Sequence, residues 1–270
     1  MDAGHVLSVE RLRVDFGGVR ALNVQRLELP DVGTTAALLM GPNGAGKTTL
    51  LDVVSGFARP TNDATIRLRV DRDIDITNLS RVQKVRAGVV RTFQRPPVFP
   101  SLSVEETIAF AASPSGVPRG TARRSWPYLV EALVEALGIS DILTQSAGLL
   151  PLHTLRRVEL VRVLATQPRL LMLDEPTAGS DDREREHLCH LLSVALPELI
   201  GRFYAAGEYR FASLSSCVVT HDLKFATLLS NGQSPAPIVH VLAQGQLRAS
   251  GRLRDLTQDT ELRSSYFGEQ

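Results

Sequence analysis

The sequence predicts an α/β fold with a parallel sheet at its centre, an antiparallel β edge and an inserted helical sub-domain. Residues 41–48, Gly-Pro-Asn-Gly-Ala-Gly-Lys-Thr, match the phosphate-loop pattern Gly-x-x-x-x-Gly-Lys-Ser/Thr and lie between an apolar run and a helical pattern. Two later apolar runs, 170–173 and 217–219, end in polar residues, which is typical of buried parallel strands whose carboxyl ends open on a site. These observations together predict a P-loop NTPase core.

The first thirty residues predict the antiparallel β edge. Residues 6–14 and 19–29 are rich in Val and Leu and flank Gly17 and Gly18, so we expect two paired strands joined by a tight turn. Phe16 lies at this turn. Its ring either stacks on a nucleotide base or is an ordinary buried side chain.

The next segments place the phosphate loop in the sheet. The continuous apolar run 35–40 is typical of a strand buried on both faces. Residues 48–56 predict the helix that follows the loop, with Gly56 as its C-cap. Residues 62–78 are polar around a short strand at 65–70, which predicts an exposed sheet edge.

We expect a helical sub-domain at 95–165, inserted into a core formed by residues 1–94 and 166–270. A strand at 89–93 delivers Gln94 into a turn-rich segment that opens the insertion. The predicted elements of the sub-domain are a capping-box helix at 103–112, a Pro/Gly/Ser linker at 113–120, an amphipathic helix ending at Gly138 and a half-buried helix at 154–166.

The rest of the chain predicts the other half of the core. One apolar strand ends in Asp174 and Glu175, and a second ends in Thr220, His221 and Asp222. The remaining predicted elements are a helix at 182–196, strands at 238–242 and 246–249, and a charged C-terminal helix.

The phosphate loop carries the predicted nucleotide chemistry. Gly41, Gly44 and Gly46 let the backbone turn tightly, so that successive N–H groups point at phosphate oxygens. Lys47 is expected to reach the β- and γ-phosphates, and Thr48 to place its hydroxyl on Mg²⁺ at the positive end of the following helix. A glycine-rich turn with a chance lysine is the alternative interpretation.

The strand ends predict the metal and base functions. Asp174 is the expected Mg²⁺ carboxylate. Glu175 is expected to point elsewhere, because side chains alternate along a strand, and to be the base that orients and deprotonates the attacking water. Capping of the next helix is the alternative for this pair. His221 either donates to the γ-phosphate or is structural.

Composition excludes several classes of protein. Of the 270 residues, 43% are hydrophobic, and 30 basic and 29 acidic residues give a net charge of +1, so a sizeable core is expected and a nucleic-acid partner is not. Cys189 and Cys217 fit a reducing compartment as small buried residues. We see no signal peptide and no apolar run near the roughly 18 residues of a membrane span, and expect a soluble protein that can dock on a membrane protein.

In order along the chain, these motifs resemble those of the ATP-binding subunits of ABC transporters. Residues 41–48 are similar to the Walker A motif and 170–175 to Walker B with its catalytic glutamate. Gln94 resembles the Q-loop glutamine, residues 178–181 the D-loop, and His221 the switch histidine. Residues 91–94 (Arg-Thr-Phe-Gln), 98–104 and the tail 262–269 are similar to the branch that serves branched-chain amino acid, urea and amide importers.

The resemblance implies an ATPase that binds ATP and Mg²⁺. The implied nucleotide contacts are Phe16, Gly41, Pro42, Asn43, Gly44, Ala45, Gly46, Lys47, Thr48, Thr49, Gln94 and Asp174. The implied metal ligands are Thr48, Gln94 and Asp174, and the implied catalytic residues are Lys47, Gln94, Glu175 and His221.

The resemblance also implies partners. Two such subunits close head to tail on two ATP molecules, dock on transmembrane permease subunits and lie peripherally on the cytoplasmic face of the inner membrane. The segment between Gln94 and Pro100 resembles the surface that grips the permease. Val98 and Phe99 are either its apolar contacts or core residues of the helical sub-domain.

One motif departs from the family pattern. Where the family has Leu-Ser-Gly-Gly-Gln, or a relative that keeps the second Gly and the Gln, this chain has Leu-Pro-Leu-His-Thr at 150–154. Small residues there let N–H groups at a helix N-terminus approach the partner's γ-phosphate, whereas Pro151 has no N–H and His153 adds a ring. We therefore expect an asymmetric heterodimer with one weak or silent site. The alternative is that His153 swings aside and both sites turn over.

A second departure is the long spacing between Glu175 and His221. We expect the excess residues at 197–216. The aromatic residues of this segment form either a partner-binding patch or a packed surface hairpin; they are Phe203, Tyr204, Tyr209 and Phe211.

The predicted function is the ATP-hydrolysing subunit of an importer. One alternative is a soluble ABC-type ATPase that acts as a clamp on DNA or the ribosome, and the lack of a basic stripe and of long coiled-coil insertions argues against it. Another is a mainly structural partner with low turnover. The presence of Gln94, Glu175 and His221 argues against that role, while His153 keeps it open.

Overall fold

The computed structural model describes residues 4–33, 35–97, 99–112 and 127–259. Four antiparallel strands form the first sheet, in the order β2-β1-β4-β5. They are β1 (His5–Phe16), β2 (Val19–Pro30), β4 (Thr65–Arg69) and β5 (Asp73–Asp75). The β1–β2 pair confirms the predicted antiparallel edge, and β5 is the outer strand of the polar segment around β4.

The second sheet has six strands in the order β10-β9-β3-β8-β7-β6. They are β3 (Thr35–Met40), β6 (Val89–Arg91), β7 (Leu170–Asp174), β8 (Ser215–Val219), β9 (Ile238–Ala243) and β10 (Gln246–Arg252). All neighbours pair in parallel except β10, which is antiparallel to β9. The order places the carboxyl ends of β3, β8 and β7 side by side, so the segments that follow them meet at one edge.

Nine α-helices surround the sheets in the described part of the chain. They are α1 (Lys47–Ser55), α2 (Arg81–Ala87), α3 (Val104–Ala112), α4 (Tyr128–Ala136), α5 (Leu152–Leu164), α6 (Asp182–His190), α7 (Leu196–Ala205), α8 (Leu223–Asn231) and α9 (Leu253–Gln258). The capping box of α3 is confirmed, because Ser103 and Glu106 exchange side-chain to backbone hydrogen bonds. The sequence did not indicate α2 and α8.

The parallel sheet has a hydrophobic core on each face, and β3 contributes to both. Leu38 and Met40 pack with the helices on one face, whereas Ala37 and Leu39 pack with α1 and the antiparallel sheet on the other. This alternation explains why β3 is a continuous apolar run. Cys189 and Cys217 are buried free thiols, as predicted.

The predicted helix at 182–196 is longer in the structure. α6 continues through a π-helical segment (Leu191–Ala195) into α7, so the prediction of a loop or surface hairpin at 197–216 is wrong over its first half. Pro197 lies in the first turn of α7, where a missing N–H is tolerated.

The four aromatic residues of that segment do not form a common exposed patch. Tyr209 is buried and its hydroxyl donates to Pro168 O at 2.8 Å. Phe203 and Phe211 are partly buried against the core, and Tyr204 is 46% exposed. The predicted partner-binding patch of four aromatics is therefore wrong, because packing of α7 and of the following loop draws three of them inward.

Several sequence expectations lie outside the described residues. These are Val98, the linker at 113–120 and the C-terminal tail 262–269. Of the helices in the described ranges, none combines the length and the apolar character needed to cross a membrane.

Candidate nucleotide site

The phosphate loop joins the end of β3 to α1 through backbone turns that require glycine. Gly41, Gly44 and Gly46 all have positive φ, at 142°, 77° and 99°. A Cβ on Gly41 would lie 2.0 Å from the carbonyl oxygen of Leu242, so the loop sits against β9 with no space for a side chain there. Gly46 is the N-cap of α1, and no described side chain caps this helix end, which leaves the first-turn N–H groups for an anion.

Lys47 lies over the loop and is only 6% exposed. Its Nζ donates to the carbonyl oxygens of Gly41 at 2.7 Å and Pro42 at 2.9 Å. Burial lowers the pKa of this ammonium group, and the nearby carboxylates of Glu175 and Asp174 oppose that shift. Two backbone carbonyl oxygens thus hold the Lys47 ammonium group at the loop, and phosphate oxygens can replace them as its partners.

Asp174 ends β7 and is 6% exposed. Burial raises the pKa of its carboxyl group, and the guanidinium of Arg91 opposes the shift. Arg91 Nη2 lies 3.6 Å from Asp174 Oδ2, and Arg91 Nη1 lies 2.5 Å from Asp52 Oδ1 on α1. Arg91 therefore joins the loop helix to β7. In the sequence Arg91 stands three residues before Gln94, and this position is the signal that could have identified it as a residue of the site.

Glu175 does not follow the predicted alternation. Its φ is +48° and its N–H donates to Val219 O on β8 at 3.0 Å, so β7 ends at Asp174 and the backbone turns there. As a result Asp174 and Glu175 line the same cavity, and the expectation that Glu175 points elsewhere is wrong. The pair does not cap α6 either, because Asp181 accepts the N–H of Glu184 at 2.8 Å.

Gln94 and His221 both contact the carboxylate of Glu175. Gln94 Nε2 donates to Glu175 Oε2 at 3.3 Å, and His221 Nδ1 lies 3.1 Å from Glu175 Oε1. The His221 side chain is 61% exposed, and that of Glu175 is 16% exposed. Two polar groups that follow β6 and β8, Gln94 and His221, thus meet at the Glu175 carboxylate after β7.

These residues line an open cavity of about 650 Å³. The cavity also contacts two segments that sequence reasoning missed: the start of β2 and the β9–β10 turn. The lining residues from these segments are Val19, Arg20, Ala21, Gln244 and Gly245. The positive φ of Gly245 marks that turn, and its N–H donates to Ala45 O at 3.0 Å, which fixes the turn to the phosphate loop.

Phe16 lies at the β1–β2 turn opposite Val19 and is 55% exposed. The interpretation of Phe16 as an ordinary buried side chain is therefore wrong. Phe16 itself is not among the residues that line the cavity, whereas Val19 opposite it is.

Comparison with known proteins agrees with this geometry. Residues 31–178, more than half of the chain, match the ABC transporter family. The chain belongs to this family. It is 29% identical to the high-affinity branched-chain amino acid transport ATP-binding protein BraF of Pseudomonas aeruginosa and 31% identical to LivG, a protein of the same description, of Escherichia coli; each alignment covers 98% of both chains. The ADP conformation of MJ1267, an ATP-binding cassette of an ABC transporter, matches with a TM-score of 0.76 and 24% identity over 98% of this chain and all of that one.

This ABC protein is therefore an ATPase with an ABC cassette fold, and ATP is its nucleotide. The cavity also offers an oxygen-donor set of the kind that Mg²⁺ prefers. Thr48 supplies a hydroxyl, Gln94 an amide oxygen and Asp174 a carboxylate, and all three line the cavity. The donor chemistry fits the metal.

The segment at the ABC signature position begins α5. The helix starts at Leu152, two residues earlier than predicted, and Pro151 is its N-cap. The His153 side chain is 51% exposed and turns toward α6, with Nδ1 3.9 Å from Glu184 Oε1. Leu149 is 84% exposed. The helix start thus presents apolar and imidazole groups at the segment that resembles the family signature in position.

Proposed function

We propose that this chain is the ATP-hydrolysing subunit of an ABC importer for branched-chain amino acids or related small polar solutes such as urea and amides. The observation that carries the ATPase assignment is the meeting of Lys47, Gln94, Asp174, Glu175 and His221 at one cavity. BraF and LivG support import and the class of solute, since both are similar to this chain over almost its whole length.

The proposed roles follow from the contacts. Backbone N–H groups of the phosphate loop and Lys47 bind the β- and γ-phosphates, while Phe16 stacks on the base. Glu175 takes the proton of the attacking water, and Gln94 and His221 orient that carboxylate. Mg²⁺, when bound through Thr48, Gln94 and Asp174, neutralises charge on the phosphates.

We further propose the division into a core, residues 1–94 and 166–270, and a helical sub-domain at 95–165 that docks on a transmembrane permease at the cytoplasmic face of the membrane. Phe99 supports the docking surface. It is 50% exposed and contacts Phe110, itself 45% exposed, with ring centroids 6.1 Å apart. This exposure favours a partner contact over a core position, and neither the charge balance nor this surface calls for a nucleic-acid partner.

Replacement of the proposed base tests the function. Glu175→Gln should lower ATP hydrolysis by about 10²–10⁴-fold, the range typical of general base catalysis, and leave ATP binding intact. We would measure phosphate release by the chain reconstituted with a partner ATP-binding subunit and permease, and ATP binding by a fluorescent analogue. Hydrolysis by Glu175→Gln at the rate of the unmodified chain would reject the assignment.

A second proposal is an asymmetric heterodimer in which the site built from Leu150–Thr154 and the partner's phosphate loop is weak or silent. Pro151 supplies no N–H, and Leu152 is exposed where a small residue would admit a phosphate. Against it stands the side chain of His153, which turns aside toward Glu184.

Restoring the signature tests the asymmetry. Replacement of Pro151-Leu152-His153-Thr154 by Ser-Gly-Gly-Gln should raise ATP hydrolysis per complex, because a second site then turns over. The same replacement combined with Glu175→Gln is the control, since any remaining turnover then belongs to the restored site. Unchanged hydrolysis per complex would contradict the silent site.

A further inference from the structure

Glu159 connects α5 to the segment that carries Gln94. It is 3% exposed, and its Oε1 accepts the backbone N–H of Phe93 at 3.1 Å. Phe93 immediately precedes Gln94, whose side chain donates to Glu175. A single hydrogen bond thus ties the helix that begins at the signature position to the residue next to the Q-loop glutamine.

The surroundings of Glu159 are cationic. Arg162 Nη2 lies 3.5 Å from its Oε1, and the charges of Arg156 and Arg91 also act on the carboxylate. Burial raises the pKa of Glu159 to about 7, and these three cations oppose the shift. Because a buried carboxyl group is costly unless its hydrogen bonds are satisfied, the Phe93 N–H and Arg162 are its compensating partners.

The aromatic ring of Phe93 contacts residues of the core. The guanidinium carbon of Arg91 lies 4.7 Å from the ring centroid, and the Phe57 ring packs edge-on with centroids 5.4 Å apart. Arg91 in turn contacts Asp174. The backbone N–H of Phe93 is bound to α5, whereas its ring packs against residues of the core. Phe93 therefore contacts both α5 and the core.

The hydrogen bond lies beside a small cavity. This cavity, of about 60 Å³, lies between α5, β7 and α6, and Phe93 and Glu159 are among its lining residues. Apolar side chains from all three elements complete its wall, including Leu160, Leu173, Leu188 and Leu191. At this gap the hydrogen bond from the Phe93 N–H to Glu159 is a direct polar link between α5 and the segment that carries Gln94.

We propose that Glu159 is a positioning residue: by holding the Phe93 N–H it fixes Gln94 on Glu175 and makes that contact follow the position of α5. The inference rests on the proposed roles of Gln94 and Glu175. A displacement of α5 would then change the orientation of the proposed base, which couples the signature segment to hydrolysis within one subunit.

Two substitutions separate the contact from general stability. Glu159→Gln keeps an acceptor for the Phe93 N–H and removes the charge, whereas Glu159→Leu keeps similar volume and removes the acceptor. Glu184→Gln is the matched control, because Glu184 lines the same cavity from α6. Hydrogen exchange of the 92–97 segment in the full chain reports the contact, and ATP hydrolysis by the reconstituted complex reports its effect.

We expect Glu159→Leu to speed exchange of the Phe93 amide and to lower kcat about tenfold with KM for ATP unchanged, the pattern of a lost transition-state interaction. Glu159→Gln and Glu184→Gln should not speed exchange of the Phe93 amide, and kcat should stay within about twofold of the unmodified chain. Unchanged exchange in Glu159→Leu, or an equal loss of kcat in Glu159→Gln, would overturn the proposal.

A double-mutant cycle with Gln94→Ala decides whether Glu159 acts through Gln94. In the Gln94→Ala background, Glu159→Leu should lower kcat by less than about twofold, because its route to Glu175 is already removed. Multiplying effects would overturn the proposal. Full hydrolysis by Glu175→Gln would instead reject the base assignment, while the Phe93 exchange would still report whether Glu159 holds this backbone.

Discussion

The nucleotide cavity and the start of α5 differ in how their polar groups are partnered. In the cavity, Lys47 donates to two loop carbonyls and Glu175 contacts both Gln94 and His221. At the start of α5, the N-cap is Pro151 and the His153 side chain is half exposed, 3.9 Å from its nearest carboxylate. The cavity groups support one another within the chain, whereas the helix start faces outward with little support.

This difference is consistent with the proposal that the phosphate-loop half of the site and the signature half are not equally preserved. The cavity depends on strand ends brought together by the sheet, so a substitution there disturbs several contacts at once. The start of α5 depends on one helix end, so Pro151 and His153 are accommodated without loss of the helix. A chain can therefore keep a complete phosphate-loop half beside an altered signature half.

The largest effect is expected in the cavity. Gly41→Ala places a Cβ 2.0 Å from Leu242 O at a φ of +142°. Strain and overpacking together cost about 3 kcal/mol or more, which would lower affinity for a fluorescent ATP analogue by about 100-fold. Gly44→Ala is the matched control, because its Cβ meets no described atom within 4 Å and only the positive φ of +77° is strained. Equal losses in the two variants would show that the contact with β9 does not set the loop.

An intermediate effect is expected inside α5 and depends on pH. The folded-state pKa of Glu159 is raised from 4.5 to about 7. Between these values the folded protein holds a proton that the unfolded chain has released, so this group makes unfolding easier as pH rises through the window. Glu159→Gln should remove that loss, so its gain in the free energy of unfolding over the unmodified chain should grow from pH 4.5 upward and reach on the order of 3 kcal/mol by pH 8.

Urea unfolding at a series of pH values measures this difference directly. The cations Arg162, Arg156 and Arg91 surround Glu159 and are retained in the variant, so the comparison isolates one carboxyl group. Parallel stability curves for the two proteins would mean that Glu159 titrates as it does in the unfolded chain.

The smallest effect is expected at the signature position. His153→Ala should change the free energy of unfolding by less than about 0.5 kcal/mol, because exposed pairs of this kind contribute little. Thermal unfolding with His187→Ala, an exposed histidine on the facing helix α6, as the control measures this. A clear drop in Tm for His153→Ala alone would show that the imidazole supports the helix start, and would weaken its interpretation as an obstacle to nucleotide.

Local elements of the fold were predictable because their causes lie within a few residues. The apolar run at 35–40 and the glycine-rich loop gave β3 and α1 to within a residue, and Ser103 with Glu106 gave the start of α3. Most of the predicted site residues line one cavity, all except Phe16, Gly41 and Pro42, since strands that end in polar groups open on one edge of a parallel sheet. Their roles stay predictions.

Other features were not predictable because they depend on contacts between distant segments. The turn at Glu175 accompanies its backbone hydrogen bond to Val219, and Glu175 lines the same cavity as Asp174. In the sequence Arg91 looks like an ordinary strand residue. Its contacts with Asp174 and Asp52 exist only because β6 lies beside β7 and close to α1. The continuation of α6 into α7 was not predicted because Pro197 normally indicates a helix boundary.

The sequence by itself determined the chemistry of this ABC ATPase: a phosphate loop, two carboxylates after a buried strand, and a signature segment with proline and histidine. Tertiary structure decided which groups meet, including Gln94 and His221 on Glu175 and the Phe93 N–H on Glu159. The physical reason is the separation along the chain over which each kind of interaction acts. Backbone preferences and capping act over a few residues, whereas a hydrogen bond between residues 66 positions apart exists only once strand order and helix packing have placed both partners.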